Sequence, residues 1–321
     1  MEFLMMQQDR LKFFPIMMFA IVMGLSGLTM TYQKASLFLG FPHFIGDMLA
    51  IVTTAIFLYI SFVYLRKSSK YTIAVKNEFS HPIRINFFAA ISISMLMLAI
   101  IYKDDFAYLS APFWYIGTAL HTYLTMHTIS FWINQNQQLD HSNPAWFIPI
   151  VGNVLVPVGG NGFVDLGVLI YFFSVGIFFW IILFAIILNR IIFHNQLAVK
   201  FMPTLFILIA PPAVGFIAYF KMFGVIDTFA LMLFNLALFF TLLVAFMYKN
   251  FIKIKFFISW WAFVFPIAAM AISTMIMYHE TKSFSLLIFS YVMIAAVTII
   301  VFIVGYQTII HIRKKEICIQ E

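Results

Sequence analysis

Residues 201–220 read FMPTLFILIAPPAVGFIAYF, an apolar run with the pair Pro211 and Pro212 near its centre. The run carries no charge, and its length matches the ~20 residues with which a helix crosses ~30 Å of hydrocarbon. A proline inside a helix removes a backbone hydrogen bond and kinks the helix. In lipid, the freed backbone group is tolerated only where protein or a water-filled cavity covers it. The stretch therefore predicts a kinked membrane helix inside a helical bundle.

Nine further apolar runs of similar length flank this one along the chain. The ten predicted spans are 13–32, 45–65, 85–102, 112–133, 145–163, 167–189, 201–220, 227–248, 256–278 and 284–310. The whole chain is 64% hydrophobic and only 10% charged, whereas soluble domains are typically ~25% charged. We predict that residues 1–321 form a single transmembrane domain with short tails, surrounded by membrane lipid.

The nineteen Lys and Arg residues lie outside the ten spans and are distributed very unevenly. The side that holds both termini carries fifteen of them: Arg10, Lys12, Arg66, Lys67, Lys70, Lys76, Arg84, Arg190, Lys200, Lys249, Lys253, Lys255, Arg313, Lys314 and Lys315. The other side carries four: Lys34, Lys103, Lys221 and Lys282. The positive-inside rule then predicts that both termini are cytoplasmic. Because the net charge of +7 is dispersed over loops, we expect no nucleic-acid partner.

The prolines inside the predicted spans fall only in odd-numbered ones: Pro15, Pro149, Pro157, Pro211, Pro212 and Pro266. Pro112 is predicted only to open span four, a position that tolerates proline. This pattern predicts an all-α integral membrane protein with ten transmembrane helices in five helical hairpins. The odd-numbered, kinked helices would line a central pore, and the even-numbered helices would lie outside. The alternative is that prolines are simply frequent in membrane helices.

No Asp or Glu lies in the middle of a predicted span. Coupled carriers usually place an ionisable group there, so a passive pore is favoured over a coupled pump. His121 and His127 in span four are six residues apart and do not share a helix face, so we interpret them as packing or hydrogen-bonding residues and expect no metal site. The sequence also lacks phosphate-loop and nucleophile motifs. We therefore expect neither an enzyme nor a cofactor.

Phe265 stands directly before Pro266 in the middle of span nine. A bulky ring at a kink, on a helix that faces a pore, can close that pore by excluding water. The alternative is that Phe265 is an ordinary lipid-facing or core residue, like most of the 41 phenylalanines.

Four motifs together resemble a known family: FSHPIR at 79–84, NPAWFIPIVGN at 143–153, PTLFILIAPPAVGFIAY at 203–219 followed by DTFA at 227–230, and WWAFVFP at 260–266. They are similar to the tellurite-resistance/dicarboxylate transporter family, which includes the bacterial TehA proteins and the plant guard-cell slow anion channels. The resemblance extends from residue 13 to about 305. It implies a ten-helix protomer with its own pore, assembled as a homotrimer in the bacterial cytoplasmic (inner) membrane.

The resemblance also implies roles for individual residues. A phenylalanine of the ninth helix plugs the pore in the family, and the matching residue here is Phe265, with Phe263 as the second candidate. Small residues of the first helix flank the plug, which here are Ala20, where TehA-like proteins have Gly, and Gly24. The residues predicted to line or kink the pore are Pro15, Ala20, Gly24, Pro149, Gly152, Pro157, Pro211, Pro212 and Pro266.

The function predicted from the sequence is a gated channel for small monovalent anions such as nitrate and chloride. Arg84, at the start of span three, is the candidate for a charge at the cytoplasmic mouth, although it is equally interpretable as a loop anchor. Because proline kinks expose carbonyl oxygens, which repel anions, selectivity would follow the cost of dehydration. The alternative function is a secondary carrier or exporter of dicarboxylate, sulfite, tellurite or other oxyanions.

Overall fold

The computed structural model describes residues 10–319 and is built from ten long helices. They are α1 Ile16–Leu39, α2 His43–Lys70, α3 Arg84–Tyr102, α4 Ala107–Asn134, α5 Pro144–Gly160, α6 Leu166–Phe193, α7 Val199–Phe223, α8 Thr228–Phe246, α9 Ile258–Thr281 and α10 Phe284–Arg313. Short helices, Thr72–Phe79 and Lys249–Ile252, stand before α3 and α9. Arg10 donates a hydrogen bond to the carbonyl of Ile317 (3.1 Å), so both described chain ends lie on one side, which we call the proximal side. The opposite side is the distal side.

Eight of these helices are long and apolar enough to cross a membrane: α1, α2, α3, α6, α7, α8, α9 and α10. Helix α5 is shorter, and the 28 residues of α4 include histidine, threonine and tyrosine side chains that dilute its apolar character. The sequence predicts ten crossings, and eight of them meet this criterion. The expected all-helical, multi-pass membrane protein is confirmed.

Every odd-numbered helix begins with a 3-10 segment, and no even-numbered helix among the ten does. The segments are Ile16–Met18, Arg84–Phe88, Pro144–Phe147, Val199–Leu208 and Ile258–Phe263. Pro149, Pro211, Pro212 and Pro266 lie in the first turn of the α-helical part that follows, where the missing N–H has no helical partner. These prolines therefore mark the change from 3-10 to α geometry rather than interrupt an α-helix, and Pro15 precedes α1 instead of lying within it.

Pro112 corrects one sequence prediction, because it lies inside α4 rather than at its start. The backbone N–H groups of Leu109 and Ser110 both donate to the carbonyl of Phe106, at 2.9 and 3.1 Å. The helix therefore begins at Ala107, before the proline is reached. Interior prolines are thus not confined to the odd-numbered helices.

Burial separates the two classes of helix more clearly than proline does. In the apolar windows of α1, α3, α7 and α9, between 72% and 83% of the residues are buried. The corresponding share in α2, α6, α8 and α10 is 28–33%. All thirteen residues of the α-helical part of α5 are buried. The odd-numbered helices are therefore inside the molecule, and these even-numbered helices present most of their apolar surface outward.

The odd-numbered helices pack against one another in chain order, and α9 packs back against α1. Each even-numbered helix packs against the odd-numbered helix before it in the chain. Small residues permit the close approach of α1 and α9, because a Cβ added at Gly27 would lie 2.9 Å from Ala268 Cβ. Interfaces of this kind are common in membrane helices, where side-chain packing rather than hydrophobic exclusion holds helices together.

A buried ion pair joins the proximal ends of α1 and α2 to the short helix before α3. Lys67 Nζ lies 2.6 Å from Glu78 Oε2, and both side chains are only 3% exposed. The same carboxylate accepts hydrogen bonds from the Ile16 backbone N–H (2.8 Å) and the Tyr64 hydroxyl (3.0 Å). Lys67 also donates to the carbonyl of Phe14 (2.7 Å). All three elements therefore depend on one carboxylate for their relative position.

Candidate functional site

A cavity of about 170 Å³ lies at the centre of the five odd-numbered helices. We call it the distal cavity, since it reaches the surface at the exposed residues Asp104 and Asp105. Every odd-numbered helix contributes to its apolar wall: Met30 and Leu37, Ile100 and Ile101, Leu155 and Val158, Val214 and Ile217, and Ala269, Ile272 and Ile276. An anion in this section would meet hydrocarbon instead of a charged or hydroxyl group.

Phe265 lines the distal cavity and is only partly buried. Its neighbour on α1 is Gly27, where an added Cβ would lie 3.4 Å from the ring carbon Cδ2. A Cβ added at Gly24, one turn earlier, would instead lie 2.7 Å from the ring of Trp261. Ala20, the residue predicted from the resemblance to flank the plug, is partly buried against the core. The small residue that the structure places against the Phe265 ring is therefore Gly27, which the resemblance did not single out.

Phe263, the second candidate for the plug, lies in a different environment. The residue is 9% exposed, and its ring packs edge-on against Phe206, with ring centroids 4.6 Å apart. Phe251 and Trp260 complete this aromatic cluster, with ring centroids 5.9 Å from that of Phe263 in each case. Phe263 lines neither the distal cavity nor a larger cavity on the proximal side. Its surroundings are those of a core residue.

Three lysines surround the distal mouth of the cavity: Lys34, Lys103 and Lys221. Lys34 Nζ lies 3.8 Å from Asp104 Oδ2. Lys103 Nζ donates to the carbonyls of Gly159 (2.9 Å) and Asn161 at the end of α5. Sequence reasoning did not predict this cluster, although it assigned all three lysines to the correct side. The sequence signal was their position, since Lys34 and Lys221 lie in the last two turns of odd-numbered helices and Lys103 directly follows another.

The surroundings of Lys103 destabilise the charged form of its side chain. Burial lowers its pKa most, repulsion from Lys221 lowers it further, and the attraction of Asp104 opposes both, so that the pKa falls from the usual 10.5 to about 8. A lysine with this pKa changes charge in the mildly alkaline range. The charge of the mouth therefore depends on pH on the distal side.

A second and larger cavity, of about 1250 Å³, opens on the proximal side. We call it the proximal cavity. Arg84, the predicted mouth residue, lines it, and so do Pro15 and Trp260. Its basic lining residues also include Lys12, Lys67, Lys70 and Lys255. The two cavities share no lining residue, and Phe265 and Trp260, which line one cavity each, are five positions apart on α9.

Gly152 faces a neighbouring helix and lines neither cavity. A Cβ added there would lie 2.2 Å from His121 Cε1 of α4. His121 is fully buried, and its Nδ1 lies 2.9 Å from the Ser92 hydroxyl. The predicted packing role of His121 agrees with this geometry, and Gly152 is the residue that makes room for it. No group of three potential metal ligands occurs within residues 10–319.

Two carbonyls near the prolines accept hydrogen bonds from side-chain hydroxyl groups. The Pro149 carbonyl accepts a hydrogen bond from the Thr125 hydroxyl (2.7 Å), and the Ala213 carbonyl accepts one from Ser273 (3.2 Å). A proline deprives the carbonyl four residues before it of its helical N–H partner, and neither of these two carbonyls stands four residues before a proline. The sequence-based expectation that proline kinks expose carbonyls to the path therefore stays a prediction.

The environment of Gly152 gives a direct test of α4–α5 packing. We expect Gly152→Ala to destabilise the folded protein by about 1–3 kcal/mol, because the new methyl group overlaps the His121 ring. Thermal unfolding of the purified protein in detergent measures this. Gly305→Ala in α10 is the matched control, since a Cβ there meets nothing within 4 Å. Equal unfolding temperatures for the two variants would contradict the packing assigned to His121.

The chain matches one family model over residues 13–309, and that model is described as a voltage-dependent anion channel, SLAC1. It is also similar to individual proteins over most of its length. It is 29% identical to the S-type anion channel SLAH2 of Arabidopsis thaliana over 93% of this chain and 59% of that protein. The chain thus spans about three fifths of the plant protein's length.

Two microbial relatives match the chain more evenly in length. An uncharacterized transporter of Methanocaldococcus jannaschii is 28% identical over 84% of this chain and 86% of its own. A tellurite resistance protein TehA homolog of Haemophilus influenzae is 27% identical over 85% and 84%, respectively. These matches confirm the resemblance stated from the motifs. Because the family model covers nearly all of the described residues, the chain belongs to the SLAC1 voltage-dependent anion channel family.

Proposed function

We propose that this protein is a gated channel for small monovalent anions, closed by the ring of Phe265. The observation that carries the proposal is the distal cavity, which all five odd-numbered helices line and which has Phe265 in its wall. The proximal cavity lies on the other side of the same helix. Opening would consist of moving the ring away from Gly27, which would join the two cavities.

The proposed arrangement in the membrane has ten crossings in five hairpins, including α4 and α5. The burial difference between odd- and even-numbered helices supports this arrangement. The basic excess on the proximal side supports cytoplasmic termini, so the distal cavity would open to the outside of a bacterial inner membrane. The proposed homotrimer rests on the family resemblance alone.

The apolar wall supports passive conduction of weakly hydrated anions. Mid-cavity residues such as Val214 and Ile272 offer no hydrogen bond that would replace a hydration shell. Entry therefore costs least for anions that hold water weakly, and we expect nitrate and iodide to pass more readily than chloride. Basic residues of the proximal cavity, Arg84 among them, would raise the local anion concentration at the cytoplasmic mouth.

A carrier of oxyanions is the second candidate. The observation in its favour is that the distal cavity reaches only one side of the molecule, as a carrier site does in one of its two states. Alternating access would then expose the same cavity to the proximal side. The apolar section of its wall, between the mouth and Phe265, carries no ionisable group that would couple transport to protons, which favours the channel.

The test is anion flux through purified protein in liposomes, with nitrate, iodide and chloride as the transported ions. A channel predicts flux that follows the electrochemical gradient of the anion, does not saturate at millimolar concentration and does not respond to a proton gradient. Slow, saturable exchange would support the carrier. A permeability order led by chloride would contradict selectivity by dehydration.

Lys103 predicts a pH dependence on the distal side. With a pKa of about 8, it is roughly nine-tenths charged at pH 7 and one-tenth charged at pH 9. Raising the external pH from 7 to 9 should therefore lower anion current, by about twofold for a mouth that keeps Lys34 and Lys221. His43, Asp104 and Asp105 also face this mouth, so the measurement compares wild type with Lys103→Gln. An equal pH response in both would remove Lys103 from the explanation.

A further inference from the structure

Charge at the distal mouth is incompletely balanced. Lys34 has Asp104 as an ion-pair partner, and Lys103 is held by two carbonyls of the α5 end. Lys221 also lines the mouth, and the positive charges of both Lys34 and Lys103 repel it. Within residues 10–319, its ammonium makes no ion pair with a carboxylate. Three lysines against the two carboxylates of Asp104 and Asp105 leave one positive charge in excess at the mouth, which a mobile anion would balance.

The region beneath the mouth determines which anions can go further. Below the lysines the wall becomes apolar, as at Val158 and Ile217, and it ends at Phe265. A divalent oxyanion is attracted to the lysines about twice as strongly as a monovalent one. It also loses far more hydration free energy on entering an apolar section, since the cost of desolvation rises steeply with charge. Such an ion is therefore stabilised at the mouth but cannot pass into the apolar section below it.

We infer that Lys34, Lys103 and Lys221 form an external binding site for divalent tetrahedral oxyanions, which occupy the mouth and block the passage of monovalent anions. Binding follows from the lysine cluster alone, whereas the block rests on the proposed channel function. Sulfate is the simplest probe of this class. Asp104, Asp105 and His43 face the same mouth, and the two carboxylates oppose binding.

The first experiment measures binding without any current. Calorimetric titration of sodium sulfate into the purified protein in detergent, at constant ionic strength, should give saturable binding to wild type. Lys221→Gln should weaken it about tenfold, because one of the three charges is lost. Lys282→Gln is the matched control, since Lys282 also follows the distal end of an odd-numbered helix but does not line the cavity. It should bind as wild type does.

A substitution that removes a negative charge distinguishes an electrostatic effect on sulfate binding from damage to the fold. Asp105→Asn removes one of the two opposing carboxylates and should tighten sulfate binding, which a misfolded variant would not do. Equal sulfate affinity in wild type, Lys221→Gln and Asp105→Asn would overturn the site.

The second experiment applies sulfate to the outside of a conducting variant, Phe265→Ala, that carries nitrate current. External sulfate should reduce the current, and the additional change Lys221→Gln should raise the half-blocking concentration about tenfold. Binding with no current in any variant would leave the site standing and reject the channel. Current that sulfate does not reduce, with binding intact, would reject the block.

Discussion

Phe265→Ala is expected to raise the anion current of the wild-type protein at least about tenfold, measured with nitrate and chloride in the same planar bilayer. The ring is the largest side chain in the wall of the distal cavity, and it lies against a glycine on the opposing helix. Removing it leaves a gap that no neighbour fills, because Gly27 has no side chain to extend into it. Water excluded by the ring can then connect the two cavities, which is how an apolar constriction opens.

Phe263→Ala is the matched control for this experiment. It removes the same ring two residues away on the same helix, but from the aromatic cluster with Phe206 and Phe251. We expect it to lower stability and to leave the current small. A large current from Phe263→Ala with a silent Phe265→Ala would reverse the assignment of the plug. If both variants are folded and neither conducts, the channel is rejected and substrate exchange should be measured instead.

Glu78→Ala is expected to destabilise the protein by about 3–5 kcal/mol, because it leaves the buried ammonium of Lys67 without its counter-charge. It also removes the acceptor for the Ile16 backbone N–H at the start of α1. Thermal unfolding in detergent should show a large fall in the midpoint temperature. The paired change of Lys67→Met with Glu78→Leu removes both charges and keeps the volume, so it should lose much less stability than Glu78→Ala.

Comparing the unfolding temperatures of Glu78→Ala and of the double variant shows whether an unpaired buried charge causes the loss of stability. If the double variant unfolds at or below the temperature of Glu78→Ala, the loss is one of packing or hydrogen bonding, and the unpaired charge is not its cause. Lys76→Ala, on the same short helix, provides a control for general sensitivity there. Its side chain is not part of the network around Glu78 and should matter little.

The sequence predicted that the odd-numbered helices are buried and the even-numbered ones lie outside, although the prolines act differently from what was expected. Prolines such as Pro211 and Pro266 do mark buried helices, but they stand in the first α-helical turn and follow a 3-10 segment. Pro112 inside α4 shows that proline alone does not identify a buried helix. Burial of whole helices was predictable because apolar length and breaker residues are local properties of the chain.

Contacts between distant segments were not predictable in this way. Lys34, Lys103 and Lys221 are widely separated in sequence, and only the packing of α1, α3 and α7 brings them to one mouth. Gly27 likewise became the neighbour of Phe265 through the register of α1 against α9, which periodicity does not specify. The resemblance placed small residues of the first helix beside the ring, and in the structure the residue of α1 next to Phe265 is Gly27.

A change from 3-10 to α geometry at the start of α9 would reorient the side chains that follow the segment. A residue in 3-10 geometry advances about 2.0 Å and turns about 120°, whereas an α-helical residue advances about 1.5 Å and turns about 100°. Converting three of the residues in Ile258–Phe263 would therefore rotate Phe265 by about 60° and shift it by about 1.5 Å along the axis. The other four inner helices start with similar segments. The same conversion in each of them would rotate the residues that line the cavity and would not require the outer helices to move.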